Sequence, residues 1–308
     1  MVSANGGEQT VRSNWTLTRS PPGLISLFEP LILLVPAITW GFTPILYKPF
    51  LEKRSAITIN FLRTTFASCA LLVPLAIFGF SPSLSYGALS GLLTLAIGDT
   101  LFFVSIGLVG ASIATPLLYV QTVLIQFVAP SVGEPLSAMH LLSAALIVVA
   151  VFLLSRGDGS TIRLKGIAVG LLAAGVESVG QSFIKAATLG GANAFSIAFS
   201  RTATATVALC VILLLTKRRR GGTIDNITSL TWRDGLTLGA VSILDIAFAA
   251  GLYVYSVGIV GIVFSTIVLG LSPLITQMAS RALRRESPKS LELLAGALIV
   301  LAVTITVL

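Results

Sequence analysis

The chain has 308 residues, of which 55% are hydrophobic and only 10% charged, and its mean hydropathy is +0.97. A soluble fold needs a polar, charged exterior that this composition does not supply, whereas lipid tails solvate apolar side chains directly. The net charge of +8 comes from Lys and Arg set in short clusters between apolar runs, as in cytoplasmic loops, so the expected partner is a bilayer and not a nucleic acid.

A membrane-spanning helix needs about 20 mostly apolar residues, because the hydrocarbon core is about 30 Å thick and each residue rises about 1.5 Å. Met1 to Gly23 is polar and has no continuous apolar core. Residues 1–28 therefore read as a flexible tail and not as a signal peptide. Ten apolar stretches follow, at 30–50, 57–79, 86–108, 111–130, 137–155, 165–187, 193–216, 235–257, 260–281 and 290–308. Between them stand turn-forming runs: Ser81-Pro82-Ser83, Gly110, Gly133-Glu134-Pro135, Gly157-Asp158-Gly159, Gly221-Gly222 and Ser287-Pro288. The break at Gly110 is the shortest. No loop has room for a soluble domain, so the chemistry must sit in the helices. The fold class predicted is all-α, a multi-pass integral protein with ten transmembrane helices, expected in the cell (plasma) membrane.

The halves resemble one another. Leu141 to Val151 reads LLSAALIVVAV and Leu293 to Val303 reads LLAGALIVLAV; Glu134 and Glu286 precede them at the same separation. Ser105 to Gly110 (SIGLVG) matches Ser256 to Gly261 (SVGIVG), and Phe61-Leu62-Arg63-Thr64 matches Phe199-Ser200-Arg201-Thr202. Gly87 and Gly91 open the third helix as Gly235 and Gly239 open the eighth. Matches in constant order, with slowly growing offsets, predict two five-helix repeats, at 29–156 and 163–308. Five is odd, so the second repeat enters the membrane from the opposite face, an arrangement typical of secondary transporters.

With Trp40-Gly41 in the first helix, Phe61 to Arg63 in the second, Gly133-Glu134 before the fifth and the tail GALIVLAV from Gly296, the chain resembles the drug/metabolite transporter superfamily, specifically its EamA-type members. The resemblance covers nearly everything beyond about residue 30. It implies efflux or uptake of a small organic solute (a metabolite, amino acid or drug-like compound) and names no substrate. Two departures stand out. Thr122 occupies the place of a proline often found late in the fourth helix, which Pro273 keeps in the ninth; the loop charges also run against the family habit.

Ionisable groups inside a membrane cost roughly 2.5–3.5 kcal/mol each on insertion scales, so each needs a reason. Arg63, Arg201, Asp99, Asp245, Glu177 and Lys185 are the candidates. Arg63 and Arg201 hold matching places in the two halves, and Asp99 and Asp245 similar ones. One reading puts these four around a central cavity where they contact substrate or exchange protons, with carboxylates the better proton carriers. The other makes each Arg a lock on an Asp or on backbone carbonyls. In the sixth helix Glu177, Gln181 and Lys185 recur every four residues and share a face. Lys185, near the helix end, is expected to snorkel to the interface. Trp40 is the counterpart of Glu177 in the first half, so the halves differ chemically. Tyr119, Thr122 and Gln126 share a face of the fourth helix, as Ser265, Ser272 and Thr276 do of the ninth; such stripes line a path or bond helices together. Substrate-binding candidates are thus Trp40, Arg63, Asp99, Tyr119, Gln126, Glu177, Gln181, Arg201 and Asp245.

Other chemistries lack residues. Cys69 and Cys210 sit in apolar runs without CxxC spacing, and the lone His140 has no ligand neighbours, so neither a metal nor a cofactor is expected. A P-loop is missing. An intramembrane enzyme would need a convergent constellation, leaving only a coincidental Ser182–Lys185 pair; a channel would need a filter or ring motif. A transporter leads, with a channel or scaffold as the alternative.

Orientation follows loop charge. Lys48, Lys53, Arg54, Arg156, Arg163, Lys165, Lys217 to Arg220, Arg233, Arg281, Arg284, Arg285 and Lys289 border one set of loops; Arg12, Arg19 and Lys185 border the other. The richer side faces the cytoplasm, which puts both termini outside. With Cys69 and Cys210 removed, a cysteine replacing Ser3 should react with an impermeant maleimide in intact cells and one replacing Thr223 should not. The reverse labelling would refute this orientation.

Overall fold

A computed structural model describes residues 32–81, 84–135, 138–155, 161–220, 230–284 and 289–305. The N-terminal tail, Glu286, and the Gly157-Asp158-Gly159, Gly221-Gly222 and Ser287-Pro288 turns lie outside the described residues. So do Arg12, Arg19, Arg156 and Arg285.

The described residues form helices without strands. In chain order they are α1 (Leu34–Leu51), α2 (Ala56–Phe78), α3 (Ser85–Val109), α4 (Ala111–Val132), α5 (Met139–Ser155), α6 (Thr161–Leu189), α7 (Ala194–Arg220), α8 (Trp232–Val260), α9 (Ile262–Ala282) and α10 (Ser290–Ile305). Seven of them are long and apolar enough to cross a bilayer, namely α2, α3, α4, α6, α7, α8 and α9. The apolar cores of α5 and α10 are shorter, and α1 has 18 residues with Pro44 and Pro49 inside it. Large apolar side chains such as Val73, Ile77, Leu172, Val207 and Leu236 lie exposed on the outer faces. Such a surface is stable only in lipid, and the protein is an integral, multi-pass membrane protein.

Local chemistry explains the boundaries. Ser55 accepts from the Thr58 N–H to start α2, and Thr231 accepts from the Asp234 N–H to start α8. Gly110 alone joins α3 to α4, with φ 83°, and Gly261 alone joins α8 to α9, with φ 89°. Only glycine takes such a backbone without penalty, which is why the break can be one residue long.

Four departures from regular helix interrupt the spans. Gly91–Gly98 in α3 and Ile243–Ala249 in α8 are π-helical. α4 is interrupted between Leu118 and Gln121. α9 is interrupted between Leu269 and Ser272, where Pro273 opens the second segment.

Packing crosses the halves. α2 lies against α7 and α5 against α10, while α3 and α4 pack on α6, and α8 and α9 on α1. The Ser272 and Thr276 hydroxyls donate to the Ala37 and Gly41 carbonyls of α1, at 2.8 and 2.7 Å. Ser272 and Thr276 are thus interhelical fastening, while Ser265 donates to the Gly261 carbonyl at the start of its own helix. At the other end of α9, Glu134 from the α4–α5 loop accepts from the Ile262 and Val263 N–H groups at 2.9 and 3.0 Å. The carboxylate thereby satisfies two donors that every helix start leaves over.

Glycine sets the closest approach. At Gly91 a β-carbon would run into the Arg201 backbone, while Gly235 has open space beside it. Gly91→Ala should therefore force α3 from α7 and destabilise the protein by about 1–3 kcal/mol, whereas Gly235→Ala should leave it unchanged or slightly stabler. Thermal unfolding of both variants in detergent checks this; equal midpoints would refute it.

Candidate functional site

The centre of the bundle holds a cavity of about 60 Å³ walled by α1, α2, α3, α4, α6, α7 and α8. One water occupies roughly 10–15 Å³ on this measure, so the space suits a few waters in this conformation. Its wall carries five acidic or basic side chains: Arg63, Asp99, Glu177, Arg201 and Asp245.

Arg63 organises one side. Its Nε donates to Asp245 Oδ2 and its Nη1 to Asp99 Oδ2, each at 2.7 Å, and Nη1 also reaches Asn60 Oδ1 at 3.3 Å. The guanidinium lies beside the paired rings of Tyr47 and Phe103, 5.3 and 5.1 Å from their centroids, a cation–π placement. The Tyr47 hydroxyl donates to Asp245 Oδ2 at 2.9 Å, and Trp40 Nε1 donates to the Asp245 carbonyl at 3.3 Å. Helices α1, α2, α3 and α8 thus meet on one charge network. Arg63 is 6% exposed and Asp245 is fully buried. Removing one member of such a set leaves an uncompensated ion and costs about 3–5 kcal/mol.

The other side is looser. Arg201 donates through Nη2 to Thr94 Oγ1 at 3.2 Å, while its Nε finds no acceptor. Glu177 is buried, with Asp99, Arg63 and Arg201 as its charged neighbours, and its Oε1 meets no donor. Oxygens of Gln121, Gln181 and Asp245 are likewise buried without partners. Trp40 and Tyr253 meet edge-on at 5.4 Å.

Eight of the nine candidates from the sequence line this one cavity: Trp40, Arg63, Asp99, Tyr119, Glu177, Gln181, Arg201 and Asp245. Gln126 does not, although it is fully buried with both amide atoms unpaired. The expected shared face with Tyr119 is lost because α4 is interrupted between Leu118 and Gln121, and Gln121 takes a place on the wall instead. Lys185 pairs with Glu134 at 3.4 Å. Its partner carboxylate is offered by the α4–α5 loop.

Tyr47, Asn60, Thr94 and Phe103 were missed. Tyr47 was findable, since Trp40, Thr43, Pro44 and Tyr47 follow the i, i+3, i+4, i+7 stripe of a helix. Thr94 and Asp99 are five apart and share a wall only because the turn between them is π-helical, with i→i+5 bonding. Asp245 and Ala250 are related in the same way in α8. Among the described residues no three His, Cys, Asp or Glu side chains converge as a metal site.

The family profile described as the EamA-like transporter family matches residues 27–156 and again 164–308. A curated relative from Archaeoglobus fulgidus (strain ATCC 49558 / DSM 4304 / JCM 9628 / NBRC 100126 / VC-16), described as an uncharacterized transporter, is 34% identical over 156 residues, covering 48% of this chain. The match spans 55% of that relative's own length. A solved structure, described only as the crystal structure of a protein, superposes with a TM-score of 0.66 at 14% identity, covering 90% of this chain and 96% of that one. At that identity the likeness shows the fold alone. The chain belongs to the EamA-like transporter family.

Proposed function

We propose that the protein is a secondary transporter that moves a small organic solute across the cell membrane by alternating access. In this reading α1 to α10 all cross the bilayer, as two inverted five-helix repeats, and α1, α5 and α10 complete their spans with flanking residues and local thinning. The observation that carries it is the central cavity, whose charged and aromatic wall is drawn from both repeats near the middle of their helices. A solute held there touches both halves, so rocking one half against the other exposes it to alternate sides. The Glu134 cap on α9 and the unpaired groups of α6 and α7 further support halves that meet through polar contacts able to rearrange. A proton gradient is the driving force proposed, because carboxylates line the route. Purified protein in liposomes, offered a solute library with and without a pH gradient, tests the reading; no uptake of any class by intact protein would refute it.

Arg63 supplies a sharper test. Its fork spans two aspartates on two helices, a geometry that the point charge of a lysine cannot reproduce. One charge-assisted hydrogen bond is worth about 1.5–3 kcal/mol, so Arg63→Lys should keep the protein folded yet lower flux roughly ten- to hundredfold. Flux equal to that of the parent would make Arg63 a plain structural tie.

A further inference from the structure

The five acidic and basic side chains at the cavity, each in its ordinary charged form, do not sum to zero. Arg63 and Arg201 bring two positive charges, while Asp99, Asp245 and Glu177 bring three negative ones. Arg63 is already engaged by both aspartates. That leaves Glu177 to share Arg201, whose Nη2 bonds Thr94. Glu177 is 5% exposed, its Oε1 is unpaired, and its stem packs against the α3 backbone at Gly98, which leaves no room even for a β-carbon. Asp99 faces it from α3, Arg63 from α2, Arg201 from α7, Tyr119 from α4 and Tyr253 from α8. Tyr47 and Asp245 lie beyond Arg63, and Lys185, two turns along α6, is held by Glu134. Residues 142–155 of α5 and 262–280 of α9 contain no ionisable side chain. One carboxylate is in surplus, and a surplus ion in so small a cavity has little water to screen it.

We infer that Glu177 is the single exchangeable cation site of the transporter proposed above, on which this inference rests: it holds either a proton or the ammonium group of an organic monoamine, and each excludes the other. Entry of R–NH₃⁺ beside the carboxylate releases one proton from the Glu177 carboxyl to solution, and departure of the amine lets one proton return. The cavity carries the same charge in both loaded states, so the exchange is one for one.

The unpaired atoms select the ligand's sign. An ammonium offers three donors and no acceptor, and four buried wall oxygens lack a donor: Glu177 Oε1, Asp245 Oδ1, Gln121 Oε1 and Gln181 Oε1. On the wall the buried N–H without an acceptor is Arg201 Nε. An anion would meet those four oxygens and, as the one unpaired donor on the wall among the described residues, Arg201 Nε. Trp40 and Tyr119 line the cavity with aromatic rings that an amine's apolar body can pack on, whereas Tyr47 and Phe103 already serve Arg63.

Trp40 reports on this site, because its indole bonds the Asp245 carbonyl and meets Tyr253. Replacing Trp15 and Trp232 with Phe leaves it the sole tryptophan. In the purified full-length W15F/W232F protein, Trp40 fluorescence is titrated against pH alone, with 2-phenylethylamine, and with the neutral 2-phenylethanol. The expected result is one midpoint that the amine lowers by about one pH unit per tenfold rise in concentration above its dissociation constant. The alcohol should leave it in place. Glu177→Gln should abolish the transition, and Asp99→Asn should lower its midpoint, because Glu177 then faces Arg201 with no surplus charge. A transition that persists in folded Glu177→Gln overturns the inference, as does an amine that acts no differently from the alcohol. If Glu177→Gln fails to fold, the amine–alcohol comparison and the direction of the Asp99→Asn shift decide alone. Liposome flux separates the two claims. Solute transport with a Trp40 signal indifferent to amine refutes the cation–proton exchange only. The expected titration without flux of any solute refutes the transporter reading only.

Discussion

An ion taken out of water must find its counter-ion within hydrogen-bond reach, and the architecture around Arg63 follows from that demand. A guanidinium on α2 needs carboxylates, and those within reach come from α3 and α8. Three helices from two halves must therefore converge on one point. Small residues let them do so: Gly91 admits the α7 backbone, Gly98 admits the Glu177 stem, and Gly180 admits Thr94. The π-helical turns then set the side-chain direction, bringing Asp99 and Asp245 onto the same wall. With breaking the set costing about 3–5 kcal/mol, against a net stability of only about 5–15 kcal/mol, the network is a large share of what holds the halves in this arrangement.

The two halves repeat in sequence but not in bonding. Arg63 carries both aspartates and two aromatic rings, whereas Arg201, its counterpart, has Thr94. Trp40 on α1 and Glu177 on α6 face the same cavity with different chemistry. A duplicated scaffold with unequal occupants gives a cavity with one tight side and one side of unpaired polar atoms, and the unpaired side is where a ligand gains most by binding.

Much of the site was readable from residue chemistry. Arg63, Asp99, Glu177, Arg201 and Asp245 stood out because charge is expensive in lipid, and that argument needs no geometry. The all-helical membrane fold was readable for the same reason. What escaped depended on local backbone irregularity. Gln126 was assigned to the path on an unbroken 3.6-residue period, but the interruption in α4 turns the second segment. Thr94 was overlooked because a five-residue spacing shares a face only on a π-helical turn, which no composition signal announces. The partner of Lys185 was not legible, since Glu134 is 51 positions away in a loop with no periodicity to place it.

Glu134 also bears on how such a chain is made. Its carboxylate completes the start of α9, so the loop closing the first half takes its partners from residues 128 and 129 positions later. A ribosome delivers α1 to α5 well before Ile262 exists. Until then that carboxylate has only Lys185 and the membrane interface to answer it, and the first half waits, unfinished, for the second. The closing contact of the first half's last loop can form only once the start of the ninth helix has emerged.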